Sequence, residues 1–456
     1  MRQIRSRFAA STRPEDGLTL VELVVALMVF AIIAVSVAYS SVAVLKASRN
    51  SQGESVAANL AAQEIDLARS AGDVFKLVDK QREVPVGGVT YKIVRSTNWV
   101  DSSGGDQACG AGGGVLQYKR VNVSVTWPGS NAPVRADTLV APSSKINDPT
   151  KGTILVRVQD EDGIGVPGIT VTAAPSAVTP NTAEALTVTP LPTDSQGCSY
   201  ILKVGAGTYD VTVSKSGYIS SEQKHPATAV AGVGPGLSSS AVFNYNTASN
   251  VEITYASNST STVPKLPEQM MTTFVNSYDN FQAPLPTLSG SLKGKIARYP
   301  YRAGYEIVVG SFNPDAPTCL APDPTQWLPK ADGAYGVRPP LIATAPGSAP
   351  LVNAPMGLVS VANAGSADLY LYATTAAPQI PGEPGCSVPL TYSFGQALKN
   401  KTTTKFALPY GSWSFTTSTS PGGTKTAVAG TALVVTPDQG TLTASIVTLD
   451  PRTVIP

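Results

Sequence analysis

Glu22 stands at the head of an apolar run, in PEDGLTLVELVVALMVF (residues 14–30), and nothing from Leu23 to Leu45 carries a charge. An ionised carboxylate at the centre of a bilayer costs roughly 2.5–3.5 kcal/mol on insertion scales, so Glu22 demands a cationic partner. Elsewhere the residue types that do chemistry are thin. The one histidine, His225, lies directly before Pro226 in a stretch rich in Pro, Gly and Ser, a poor place to hold a base against a nucleophile. Asp160, Glu161 and Asp162 in QDEDGIG put three carboxylates on a turn, which suits a hard cation, but the later glutamate of a calcium loop is missing. Four cysteines, Cys109, Cys198, Cys319 and Cys386, lie far apart without a CxxC pair. That spacing argues against a zinc ribbon and fits disulfides in an oxidising compartment, with three connectivities open. There is no GKS or GKT phosphate cradle. No catalytic residue, metal site or cofactor is expected, and the chain reads as a non-enzyme.

Elements of two kinds must position these residues. The uncharged run at 23–45 is about 34 Å long as a helix, enough to cross a bilayer. Arg2, Arg5, Arg7 and Arg13 precede it, which keeps this end in the cytoplasm. Beyond it, GESVAANLAAQEIDLARSAG continues the helical period, with Ala57, Leu60, Ala61, Ile65 and Ala68 on one stripe, Glu54, Glu64 and Asp66 elsewhere, and Gly72 as the stop. The rest is another matter: 40 Gly, 37 Pro and only 14% charged residues over 456 positions predict an exported, β-rich, multidomain chain. A net charge of +2 and the lack of any basic run past residue 17 give nucleic-acid binding no support.

Gly17-Leu18-Thr19-Leu20-Val21-Glu22, placed before an apolar helix, resembles the class III signal of type IV prepilins and type II secretion pseudopilins. The resemblance implies that a membrane peptidase cuts after Gly17 and methylates the new amine of Leu18. It implies also that Glu22 of one subunit meets the Leu18 amine of its neighbour in a filament, where a low dielectric strengthens the attraction. Before assembly, the subunit's own amine and the positive end of the helix dipole compensate Glu22. Two departures stand out: Leu18 replaces the usual phenylalanine, and Glu15 and Asp16 precede the glycine. The helix-breaking proline found part-way along many major pilins is absent, so the resemblance implies an unbroken helix and a minor subunit.

Past the helix, alternation at Val89, Tyr91 and Ile93, then at Val121, Val123, Val125 and Trp127, and a third stretch PVRADTLVAP predict a small antiparallel headgroup sheet. GTILVRVQDEDGIGVPGITVTAAP and TDSQGCSYILKVGAGTYDVTVSKSGY resemble the Cna-B and carboxypeptidase-regulatory-like β-sandwich, used as a spacer in surface proteins. That family's Lys–Asn isopeptide bond is not expected here, because Lys151 has no asparagine in the last strand to join. The Gly-aromatic strand start at Gly207–Tyr209 recurs at Gly304–Tyr305 and Gly411–Trp413, a weak internal repeat. PATAVAGVGPGLSSS and PKADGAYGVRPPLIATAPGSAP read as linkers and candidate hinges. Tyr299, Tyr301 and Tyr305, and Tyr370 and Tyr372, are either core or a ligand-contacting surface.

The expected architecture is therefore α+β overall and mainly β: a long N-terminal hydrophobic helix with a pilin-like antiparallel sheet, then several β-sandwich domains of prealbumin or Ig-like type. Its expected parts are a leader at 1–17, a pilin-like part at 18–148 with the span at 23–45, and sandwiches at 149–225, 240–330 and 345–456. The expected function is a modular minor type IV pilin that displays sandwich domains for adhesion. The alternatives are a minor pseudopilin of a type II secretion or DNA-uptake apparatus, or a plain membrane-anchored surface protein. Expected partners are other pilin subunits, the prepilin peptidase, the assembly platform and an unknown surface ligand. The expected location is a single-pass membrane state, then a pilus or the cell surface. Among the cysteine pairings, Cys319–Cys386 with Cys109–Cys198 is favoured over a bond from Cys198 to one of the distal pair.

Overall fold

The computed structural model describes residues 19–130, 132–143, 146–313, 322–386, 388–435 and 439–452. Helix α1 (Leu20–Arg69) runs unbroken for 50 residues. It holds no proline and one glycine, Gly53, and it ends where the Ser70 N–H closes on the Asp66 carbonyl at 2.9 Å. The chain divides into two compact units, one made of the residues up to Val100 and those from Gln117 to 143, the other of Asp101–Leu116 and everything from Ile146 on.

In the first unit, β1 (Lys80–Val86), β2 (Val89–Asp101), β4 (Leu116–Thr126) and β5 (Val134–Val140) form a sheet in the order β1-β2-β4-β5; β3 (Asp106–Gln107) lies in the 101–116 excursion of the second unit. Strand β1 is absent from the sequence reading. Its signal was the Gly87–Gly88 pair, which turns the β1–β2 hairpin at φ +59° and +82° and which L side chains would strain. Tyr91, Ile93, Val121, Val123 and Val125 are buried as their alternation predicts, and so is the helical stripe Ala57, Leu60, Ala61, Ile65, Ala68. Glu64 departs from the expected polar face. It is buried, and its carboxylate meets Arg82 at 3.0 Å and Arg95 at 2.9 Å.

The second unit opens with a sandwich. Strands β6 (Gly152–Gln159), β8 (Cys198–Val204), β10 (Tyr218–Ser220) and β12 (Ser238–Thr247) form one sheet, β10-β12-β6-β8, and β7 (Thr170–Pro175), β9 (Gly207–Ser214) and β11 (Ala227–Val233) form the other, β11-β9-β7. Ile154, Val156, Val158, Val171, Tyr209, Val211, Val213 and Phe243 fill the space between them. Residues 226–240, expected as a linker, instead supply β11 and the start of β12, which lies parallel to β6. The misreading has a physical cause: the inward positions of ATAVAGV are mostly alanine, small apolar residues that pack well yet look like loop composition.

The distal strands are β13 (Ser249–Tyr255), β14 (Met271–Val275), β15 (Asn280–Pro284), β16 (Lys293–Arg298), β17 (Glu306–Val309), β18 (Leu351–Ala354), β19 (Gly357–Asn363), β20 (Tyr370–Thr375), β21 (Thr391–Ser393), β22 (Thr402–Leu408), β23 (Gly411–Ser418), β24 (Thr426–Ala427), β25 (Leu433–Val435), β26 (Gly440–Thr443) and β27 (Ile446–Leu449). They form three three-stranded sheets, β16-β13-β18, β15-β14-β17 and β22-β19-β25, and the larger sheet β21-β20-β23-β27-β26 with β24 beside β23. One contiguous cluster of buried side chains from Ile219 to Leu449 serves all of them. The Pro-rich stretch 329–350 is therefore no free hinge. Arg338 within it grips Asp323 through Nε at 2.9 Å and Nη2 at 2.6 Å and also pairs with Glu306.

The Gly-aromatic strand start keeps one local geometry at two of its three places. Gly207 and Gly411 open strands at φ +147° and +137°, and the aromatic residue two positions on is buried in both. Tyr209 Oη donates to the Gly205 carbonyl at 3.1 Å and Trp413 Nε1 to the Pro409 carbonyl at 3.0 Å, each four residues back. At Gly304 φ is +68° and the Tyr305 hydroxyl donates to Tyr299 instead.

Candidate assembly and membrane site

The first described turn of α1 closes on itself. The Glu22 N–H donates to Thr19 Oγ1 at 3.3 Å, while the Thr19 N–H and hydroxyl donate to Glu22 Oε2 at 3.1 Å and 2.9 Å. This capping box satisfies two otherwise unpaired helix N–H groups and offsets the Glu22 charge locally. The signal for Thr19 as the cap is its Thr-x-x-Glu spacing to Glu22. Gly17 and Leu18 lie outside the described residues.

From Leu23 to Leu45 the side chains of α1 are exposed. Of the described helices, α1 is the one long and apolar enough to cross a membrane. Its few hydroxyls are satisfied within the helix: Ser36, Ser40 and Ser41 donate to the carbonyls of Ile32, Ser36 and Val37 at 2.8–2.9 Å. Such back-bonding removes the cost of polar atoms in hydrocarbon. Gly53 allows the helix to approach Trp127 closely, since a methyl group there would lie 2.6 Å from Trp127 Nε1.

These features converge on one family signal. Residues 12–38 match the prokaryotic N-terminal methylation motif. The match covers Gly17, Leu18 and Glu22 and the apolar run as far as Ala38, so the N-terminal region carries that motif. Comparison with curated proteins finds no match. Similar solved structures are remote. The Bacillus anthracis TIE protein is 11% identical over 77% of this chain and 70% of its own, with a TM-score of 0.19. A streptococcal ancillary pilin is 13% identical over 53% and 76%, TM-score 0.19. BcpA, the major pilin subunit of Bacillus cereus, is 11% identical over 66% and 95%, TM-score 0.18. At such scores no argument rests on the likeness.

Cys109 and Cys198 are joined in a disulfide with Cα atoms 5.3 Å apart. Cys109 sits in the 101–116 excursion, so the bond lies within the second unit, and the Gly113 N–H donates to the Ser238 carbonyl at 2.8 Å nearby. Cys386 is half-buried, and the expected Cys319–Cys386 pair lies outside the described residues at Cys319. The carboxylates of QDEDGIG are already engaged: Asp160 caps its own turn through the Asp162 and Ile164 N–H groups. Glu161 accepts the Arg302 N–H at 2.8 Å, and Asp162 pairs with the Arg302 guanidinium. No group of three or more His, Cys, Asp or Glu among the described residues is placed to hold a metal. His225 Nδ1 lies 2.6 Å from the Tyr245 hydroxyl, and Lys151 is exposed.

Tyr299, Tyr301 and Tyr305 are buried and belong to a seam with the first sandwich, not to an open binding face. Gln223 donates to the Tyr305 hydroxyl at 3.0 Å and accepts the Tyr299 N–H at 3.0 Å, and the Tyr301 hydroxyl donates to the Ser221 carbonyl at 2.8 Å. Burial raises the Tyr301 hydroxyl above its ordinary range. Tyr370 and Tyr372 are half-buried, and the Lys425 ammonium covers the Tyr372 ring at 4.3 Å.

Proposed function

We propose that this chain is a minor type IV pilin: a filament subunit anchored by α1 that carries β-sandwich domains outward for adhesion or surface contact. The observation that supports it most is the methylation motif at 12–38, whose residues from Leu20 on lie in an exposed apolar helix. In this reading the leader is removed after Gly17, the Leu18 amine is methylated, and Glu22 exchanges its Thr19 contacts for the Leu18 amine of a neighbouring subunit. A carboxylate and an amine meeting in a low-dielectric bundle fix the axial register and leave no net charge buried. The partners are pilin subunits, the prepilin peptidase and the assembly platform. Roughly two thirds of the chain follows the headgroup, a load that a tightly wound shaft accommodates at its tip or sparsely.

Electron microscopy of sheared filaments with an antibody against residues 351–452 tests the reading. Label at tips or at rare points along filaments is expected. Label confined to cell bodies, with none on filaments, contradicts the pilus and leaves a plain surface anchor.

A further inference from the structure

Where α1 leaves the apolar run, a cleft of about 890 Å³ opens between the helix and the first unit's sheet, lined by Lys46, Arg49, Asn50, Gly53, Trp127 and the Val86–Gly87 turn among others. Residues 46, 49, 50 and 53 recur at i, i+3, i+4 and i+7, so they share one helix face. Gly53 sits against the Trp127 indole, and Lys46 and Arg49 continue that face toward the span. Both cations are exposed, and neither belongs to an ion pair among the described residues. No acid lines the cleft, and Glu54, the acid nearest in sequence, accepts from Asn50 at 3.0 Å. The turn glycines Gly87 and Gly129 have open space where a side chain would stand. A ligand can therefore approach the backbone there.

Two unpaired cations directly after a span, on the side away from the arginine-rich end, run against the charge bias that orients membrane helices. An anion at the same depth offsets them. Lys46 follows Leu45, the last residue of the uncharged run, which sets its ammonium at the level of the phosphates. We propose that this cleft receives the headgroup of an anionic phospholipid of the non-cytoplasmic leaflet and holds the subunit against the membrane before assembly. The inference rests on the membrane-spanning reading of α1.

Native mass spectrometry of the full chain in detergent, titrated with phosphatidylglycerol or phosphatidylcholine, tests it. Phosphatidylglycerol is expected to bind more tightly, and Lys46→Gln with Arg49→Gln to weaken it about thirtyfold, the effect of two surface charges. Lys46→Arg should retain binding, which separates charge from fold. Equal binding of the two lipids, an unchanged double variant, or displacement of the lipid by inorganic phosphate at matched concentration overturns the assignment. A double variant that keeps the lipid but drops out of filaments assigns the cleft to a neighbouring subunit and overturns it too. Carbonate extraction of membranes keeps the two readings apart. Release of the chain refutes the span and the lipid site together, whereas retention without lipid preference refutes the lipid site alone.

Discussion

At Glu22 two demands meet: a lone carboxylate at the start of an apolar helix must be held by polar partners both before and after any assembly. Thr19 answers the first through its N–H and hydroxyl, and in the pilin reading a neighbour's Leu18 amine answers the second. Glu22→Ala is expected to leave leader removal intact, since Gly17 directs the cut, and to abolish or strongly reduce incorporation into filaments. A gel shift for cleavage and an immunoblot of the filament fraction, taken from the same cells, check both halves. Normal incorporation of the variant removes the pairing role. Glu22 was legible because it breaks a long apolar pattern. Thr19 is legible only in its spacing to Glu22, because a threonine beside an apolar run is common.

Among elements, α1 reads most directly from the sequence, since its buried stripe repeats at helical spacing and no proline intervenes. Glu64 was not legible, because nothing local shows that Arg82 and Arg95, on β1 and β2, will turn inward to meet it. Lys119 is a similar case: it is fully buried in β4 with its Nζ donating to the Leu77 carbonyl at 2.7 Å. Charges of this kind are settled by tertiary partners, not by periodicity. Glu64→Ala leaves two guanidinium groups partly buried without their anion and is expected to cost about 3–5 kcal/mol of first-unit stability. Replacing Glu64, Arg82 and Arg95 together by apolar residues of similar size should cost much less. Urea unfolding followed through a probe in the β1–β5 sheet distinguishes the two, and equal losses would mean that the charges do not act as a unit.

For the whole molecule, the strand content was visible in alternation, whereas the joints were not. Segments rich in Pro, Gly, Ala and Ser were expected to bend freely, yet one pairs into the first sandwich and another is clamped at Arg338. Burial disfavours ionisation of Asp323, but Arg338 and the Thr325 N–H outweigh it and hold the carboxyl below the usual carboxylate range. A lowered folded-state value means that this pair contributes stability above the unfolded value, near pH 4, and loses it as pH falls through the folded value. Thermal melts of the second unit should therefore drop as pH falls below about 4, and Asp323→Asn should melt lower at neutral pH with a shallower acid slope. Parallel acid slopes for the variant and the parent would show that the Arg338 clamp carries no weight at this joint.

Where the mature chain starts decides whether the subunit is processed as a pilin. Intact-mass and N-terminal peptide analysis of the protein recovered from membranes and from sheared filaments measures that directly. The predicted result is a first residue of Leu18 bearing one methyl group on its amine. An intact Met1, or a cut anywhere other than after Gly17, would contradict it.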